Sequence, residues 1–232
     1  MQPKGGFDPN ILAFDTTLSH CAAAFFNDFP RYEVTEPMTR GQGERLMPLL
    51  QEVLSHENGR WQDLDLIAVG VGPGNFTGIR ISVAAARGLG LALGIGVMGV
   101  SMFEVMREPD GQWAEPSEVV SLPAPRGKAY LQHFRYGVAR SAPTIIDPSA
   151  PPDDLQFPVN TKVVGYCAEA LALAGHASHW DDVALTDVAT RIARRAEARW
   201  LAGETAPERP APLYVRPADA APPRDAAPVI LP

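Results

Sequence analysis

Nine glycines between Gly70 and Gly99 constrain this chain more than any other feature of it. They surround the loop Gly72-Pro73-Gly74-Asn75-Phe76-Thr77-Gly78. Before the loop stands the apolar run Leu64-Asp65-Leu66-Ile67-Ala68-Val69, which fits a strand buried on both faces. After it, the pattern predicts a helix over 77–93 whose only charges are Arg80 and Arg87, seven apart and so on nearly one side. Small residues form two rows at i, i+4 spacing: Gly78, Ser82, Ala86, Gly90, and Ala84, Gly88, Ala92. Ile79, Ile81, Val83, Leu89, Leu91 and Leu93 lie between them, so the helix is apolar almost all the way round. An interior glycine costs about 0.5–1 kcal/mol relative to alanine, so close contacts must compensate. One row suits the helix's own sheet. The other suits either a partner or a helix buried wholly within this chain.

The loop also has two readings. Backbone N–H groups at a strand-to-helix turn can cradle an anion. Yet the spacing Gly-x-Gly-x-x-x-Gly is neither a Walker loop nor the dinucleotide fingerprint, and a tight turn with close packing explains the glycines as well.

Around this centre the pattern predicts strands over 11–17, 21–26 and 32–36, then an amphipathic helix over 43–57 with Leu46, Met47, Leu50, Val53 and Leu54 on one face. A strand over 97–100 follows. Strands are predicted over 119–122, 128–136 and 162–165, and helices over 167–174 and 187–201. Strands mixed with helices in this order indicate an α/β fold with mixed sheets. Fourteen of the 20 glycines precede residue 101, and 17 of the 23 prolines follow residue 100. The expected organisation is therefore a first lobe over 1–100, a smaller second lobe over 101–206 and a Pro-rich segment over 207–232. No internal repeat of fixed period is visible.

The formal charge of −7 argues against unaided nucleic-acid binding, because phosphate contacts dominate that affinity. Cys21 and Cys167 exclude a disulfide scaffold and read as buried thiols of a reducing compartment. No export signal or uncharged membrane-length run is evident, so a cytoplasmic location is expected.

The string Val69-Gly70-Val71-Gly72-Pro73-Gly74-Asn75-Phe76-Thr77-Gly78-Ile79-Arg80-Ile81 closely resembles the hallmark of the TsaB (YeaZ) family, part of the bacterial machinery that makes threonylcarbamoyladenosine in tRNA. The opening Ile11-Leu12-Ala13-Phe14-Asp15-Thr16-Thr17, the helix start Gly43-Glu44-Arg45-Leu46-Met47-Pro48 and the late Pro212-Leu213-Tyr214-Val215-Arg216 agree in order and spacing. The family usually has serine at the place of Asn75, leucine at Ile79 and a histidine where Gln42 stands. The resemblance implies a two-lobed actin-like ATPase (ASKHA) fold related to the catalytic subunit TsaD. It also implies a non-catalytic subunit that forms a heterodimer with TsaD and supports threonylcarbamoyl transfer to N6 of adenosine 37. TsaE and tRNA would be reached through the complex, with no membrane and no cofactor of its own, and a homodimer when isolated. The expected partner interface comprises Arg80, Ala84, Arg87, Gly88, Leu91 and Ala92. Asp15, Thr16 and Thr17 match the place where active relatives organise magnesium and phosphate, and are expected as a vestigial phosphate site. The alternative is a free-standing actin-like ATP-dependent enzyme or an M22-type metallopeptidase.

His176 and His179 precede Asp181 and Asp182 in an expected loop, a thin basis for a metal site. No local serine, histidine and aspartate spacing suggests a hydrolase, although a triad can assemble in space. Arg191, Arg194, Arg195 and Arg199 form a basic stripe on the last helix and are expected as a solvated face.

Overall fold

The computed structural model describes residues 8–107, 116–204 and 209–215. Residues 207–208 and 216–232 of the Pro-rich segment, including Arg216 of the late motif, lie outside the described residues.

The first sheet contains β1 (Ile11–Asp15), β2 (His20–Asn27), β3 (Phe29–Pro37), β4 (Leu66–Gly70) and β5 (Gly96–Val100), ordered β3-β2-β1-β4-β5. Strand β2 is antiparallel to β1 and β3, whereas β1, β4 and β5 are parallel. Helix α1 (Gln42–His56) joins β3 to β4, and α2 (Phe76–Leu93) crosses from β4 to β5. A short helix, α3 (Met102–Met106), follows; it is five residues long and was not foreseen.

The second sheet holds β6 (Ser117–Pro123), β7 (Ala129–Arg135), β8 (Val138–Ala139), β9 (Thr144–Ile146), β10 (Thr161–Gly165) and β11 (His179–Asp181). Its order is β11-β10-β6-β7-β8, with β9 also paired to β7. Strands β6, β10 and β11 are parallel, and β7 is antiparallel to β6, β8 and β9. Helix α4 (Ala168–Ala174) joins β10 to β11, and α5 (Val188–Leu201) closes the described run of elements. The second sheet thus repeats the strand order of the first, with β6 in the place of β1 and α4 in the place of α2.

Residue alternation divides the core into layers. Leu12, Phe14, Ile67 and Val69 face α1 and α2 together with Leu46, Leu50, Ile79 and Val83. Ile11, Ala13, Leu66 and Ala68 face the other way, into a core shared with α3, α5 and the second sheet. Val119, Leu131 and Val163 pack on α4. Helix α5 falls within the range expected for the second lobe, yet it lies across the first sheet, mainly on β1 and β2. The reason is side-chain size, since Ala189 meets Ala22 and Ala24 of β2 with no bulk between them. Helix α3, in turn, packs on β6 of the second sheet. Each sheet therefore receives the helix that follows the other.

The two small-residue rows of α2 have opposite fates. Gly78, Ser82, Ala86 and Gly90 are buried, and Ala84, Gly88 and Ala92 are exposed. A methyl group on Gly78 would collide with the Thr16 carbonyl, and one on Gly90 with the Val97 side chain, whereas one on Gly88 would meet nothing within 4 Å. Gly78→Ala should therefore destabilise the protein by about 2 kcal/mol or more, and Gly88→Ala should stabilise it by up to ~1 kcal/mol. Urea denaturation of the two variants reads both signs.

Candidate functional site

The glycine loop ends β4 and leads into α2, directly beside the end of β1. Thr16 is clamped to the helix: its N–H donates to Ser82 Oγ at 3.0 Å and its hydroxyl to the Gly78 carbonyl at 2.7 Å. The Asn75 N–H donates to the Thr17 carbonyl at 2.6 Å, and the Asn75 side chain caps α2 by accepting from the Thr77 N–H at 3.0 Å. Two of the N–H groups that an anion would use, those of Asn75 and Thr77, are thus engaged within the chain.

Asp15, Thr16 and Thr17 are all fully buried. Asp15 Oδ2 accepts from the Thr17 N–H at 2.9 Å and the Thr17 hydroxyl at 3.1 Å, and lies 2.8 Å from His20 Nε2. Asp15 Oδ1 has no hydrogen-bond partner and faces Gly70 and the Met102 methyl. The pairing with His20 was not anticipated, because it joins two strands across a turn and leaves no local sequence pattern.

Between the lobes lies a cavity of about 520 Å³, framed by Leu18, Met106, Pro123, Tyr166 and Leu185. The charged side chain among those lining it is Asp182, and its Oδ1 accepts from the Ala168 N–H at 2.7 Å, at the start of α4. The carboxylate of Asp182, just past β11, thus occupies the start of α4 and would repel an anion there. An actin-like fold implies a magnesium nucleotide in such a cleft, and these residues do not fit one: the cavity wall is apolar and its charge is negative, while Asp15 is sealed away from it. Cys167 also lines this cavity and is half-buried, which corrects the expectation that both thiols are buried. Cys21 is buried, and burial, helped by Glu36, pushes its thiol up to about 11.

Space does bring a serine to a histidine: Ser117 Oγ lies 2.9 Å from His133 Nε2 and 2.6 Å from Thr161 Oγ1. Thr161 gives its one hydroxyl proton to the Pro158 carbonyl, so it accepts from Ser117, and Ser117 must accept from His133. The proton runs away from the imidazole, the reverse of what an activated nucleophile requires. Burial, with Arg135 and Arg140 nearby, holds His133 below its usual range and keeps it neutral.

The other sequence candidates are engaged structurally. His179 lies on β11, a strand rather than a loop, and Asp181 pairs with Lys162 at 2.6 Å. Among the described residues no group of His, Cys, Asp and Glu could hold a metal ion. The stripe on α5 is not a solvated face. Arg195 is buried and donates to the carbonyls of Glu104 and Arg107, Arg191 to that of Val105 and Arg199 to that of Gly99, while Arg194 stays exposed. Gln42 is buried and donates to the Met38 carbonyl at 3.3 Å, tying the start of α1 to the chain before it.

On the outer side, Arg80, Ala84, Arg87, Gly88, Leu91 and Ala92 share one exposed face of α2, with Leu91 81% exposed. Helix α2 is also long and apolar enough to cross a membrane by length and composition, yet its opposite side is packed on the first sheet. The described part of the Pro-rich segment returns beside this face. The Leu213 N–H donates to the Val71 carbonyl at 2.8 Å, and the Tyr214 ring packs at a tilt against Phe76 with centroids 4.8 Å apart.

A family model described as TsaD, tRNA N6-adenosine threonylcarbamoyltransferase, matches residues 36–152, half of the chain. The chain belongs to this family. Two solved structures from Pseudomonas aeruginosa share its fold at 24% identity. One, an uncharacterized protein with similarity to peptidase YeaZ, has a TM-score of 0.70 and covers 90% of this chain and 100% of its own. The other, YeaZ, has a TM-score of 0.67 and covers 89% and 99%. The architecture is thus that of YeaZ, an actin-like ATPase type with two mixed sheets. No curated protein matches the chain.

Because Asp15, Thr16 and Thr17 are buried and the cavity carries Asp182, titration of the isolated chain with magnesium ATP should give no saturable heat. Saturable binding that Asp15→Asn abolishes would contradict this assignment of the cleft.

Proposed function

We propose that the chain is the non-catalytic, TsaB-type member of its family: a cytoplasmic subunit that binds TsaD and holds it in the state competent to transfer the threonylcarbamoyl group to N6 of adenosine 37 in tRNA. The observation that carries this reading is the exposed face of α2. Ala84, Gly88 and Ala92 offer a row without bulk, beside Leu91, on a helix whose other side is already locked to its own sheet. Small residues at helix spacing let a second helix approach to about 8 Å, and a partner from the same family has a helix of its own to offer there. Family membership and the shared fold support the choice of TsaD, and the engaged Asp15, Thr16 and Thr17 favour an accessory role over the free-standing ATPase or peptidase. TsaE and tRNA would be met through the complex, since the arginines of α5 mostly hold backbone carbonyls. The isolated chain would use the same face to form a weak homodimer.

A leucine at Gly88 or Ala84 tests this. Gly88 has open space around it, so the variant should fold normally. Its affinity for TsaD should fall by about ten- to hundredfold, as overpacking of a close helix contact predicts. Two folded variants that bind TsaD normally would refute the assignment.

A further inference from the structure

Arg80 and Arg87 lie on one side of α2, about 10.5 Å apart along its axis. Both are exposed, and each is held through Nε by the returning C-terminal segment. Arg80 donates to the Tyr214 hydroxyl at 3.1 Å and lies 3.8 Å over the Phe76 ring. Arg87 donates to the Pro210 carbonyl at 2.9 Å. Their Nη groups make no hydrogen bond or ion pair with the described residues, and α2 contains no acidic residue. Next to Arg87 a groove of about 420 Å³ has an apolar floor of Leu91, Ile95, Val97 and Pro210, with Arg209 at its rim. A chain of net charge −7 therefore carries three arginines on this one face.

We propose that this face selects a partner helix with two carboxylates two turns apart, at i and i+7, and an apolar side chain that enters the groove beside Leu91. The inference deepens the assignment of this face to TsaD and rests on it. The two spacings match, because both are set by the helix rise. A guanidinium fork pairs bidentately with a carboxylate, and a fork held at Nε has already lost part of the freedom that binding would remove. A second copy of the chain is the wrong occupant: pairing two α2 faces brings four arginines to a seam with no acidic residue on either helix. The face favours an acidic helix over its own copy, whose pairing stays weak until salt screens the arginines.

The test is titration of TsaD with the full chain and its Arg80→Gln, Arg87→Gln, double and Tyr214→Phe variants, from about 50 mM to about 500 mM salt. Each arginine variant should weaken binding by about tenfold, mostly through slower association, and the double variant should lose most of the salt dependence. Tyr214→Phe keeps every charge and frees Arg80, so it should speed dissociation a few-fold and leave the salt dependence unchanged. Self-association of the wild type should strengthen with salt as TsaD binding weakens. Arginine variants that bind TsaD like the wild type, with the same salt dependence, overturn the proposal. If Gly88→Leu still blocks binding in that case, the α2 face remains the TsaD site and only its charge reading falls. If Gly88→Leu binds normally too, the assignment of the face falls with it.

Discussion

Helix α2 reaches the end of β1 because Gly78 has no side chain, and the contact it makes with the Thr16 carbonyl fixes much of what surrounds it. The approach lets Thr16 bond both Ser82 and the helix backbone, so the strand end and the helix start become one unit. Each such bond contributes about 1 kcal/mol net, and leaving one of these buried groups unpaired would cost more. Asp15, Thr16 and Thr17 are buried beside the same contact. It also sets the rotation of α2 about its axis. With the row Gly78, Ser82, Ala86 and Gly90 held to the sheet, the row Ala84, Gly88 and Ala92 must face outward. One close approach thus accompanies the burial of Asp15, Thr16 and Thr17 and leaves the row Ala84, Gly88 and Ala92 exposed.

The two sheets are tied by exchange. Helix α3 leaves the first sheet to pack on β6, and α5 leaves the second to lie across β1 and β2. The arginines of α5 then complete the structure between them, donating to the carbonyls of Glu104, Val105 and Arg107 at the end of α3 and of Gly99 on β5. This shared core leaves a cavity whose wall is mostly apolar and whose charge is that of Asp182. The two lobes are held together by packing in this shared core.

The strands and helices of the first lobe were legible because their apolar periodicity is strong and the glycines leave few alternatives. Gly88 and Gly90 show how far that legibility went: the sequence placed them in different rows, and their surroundings differ accordingly. What was not legible depends on contacts distant in the chain. The repeated strand order escapes notice because Ile11–Asp15 and Ser117–Pro123 share a position in their sheets without sharing a pattern. The place of α5 follows from three alanines meeting across 165 residues, and its arginines looked solvated because their carbonyl partners lie far back in the chain. His20 beside Asp15, and Tyr214 beside Arg80, are likewise contacts that no local spacing announces.

On the proposed function, this chain enables a partner's chemistry without performing any of it. The most direct measurement is formation of threonylcarbamoyladenosine on unmodified tRNA by TsaD, TsaE, threonylcarbamoyl-AMP and ATP, with and without the chain. The account predicts product only when the chain is present, with neither product nor ATP hydrolysis from the chain alone. Equal product in both reactions, together with ATP turnover by the isolated chain, would contradict it.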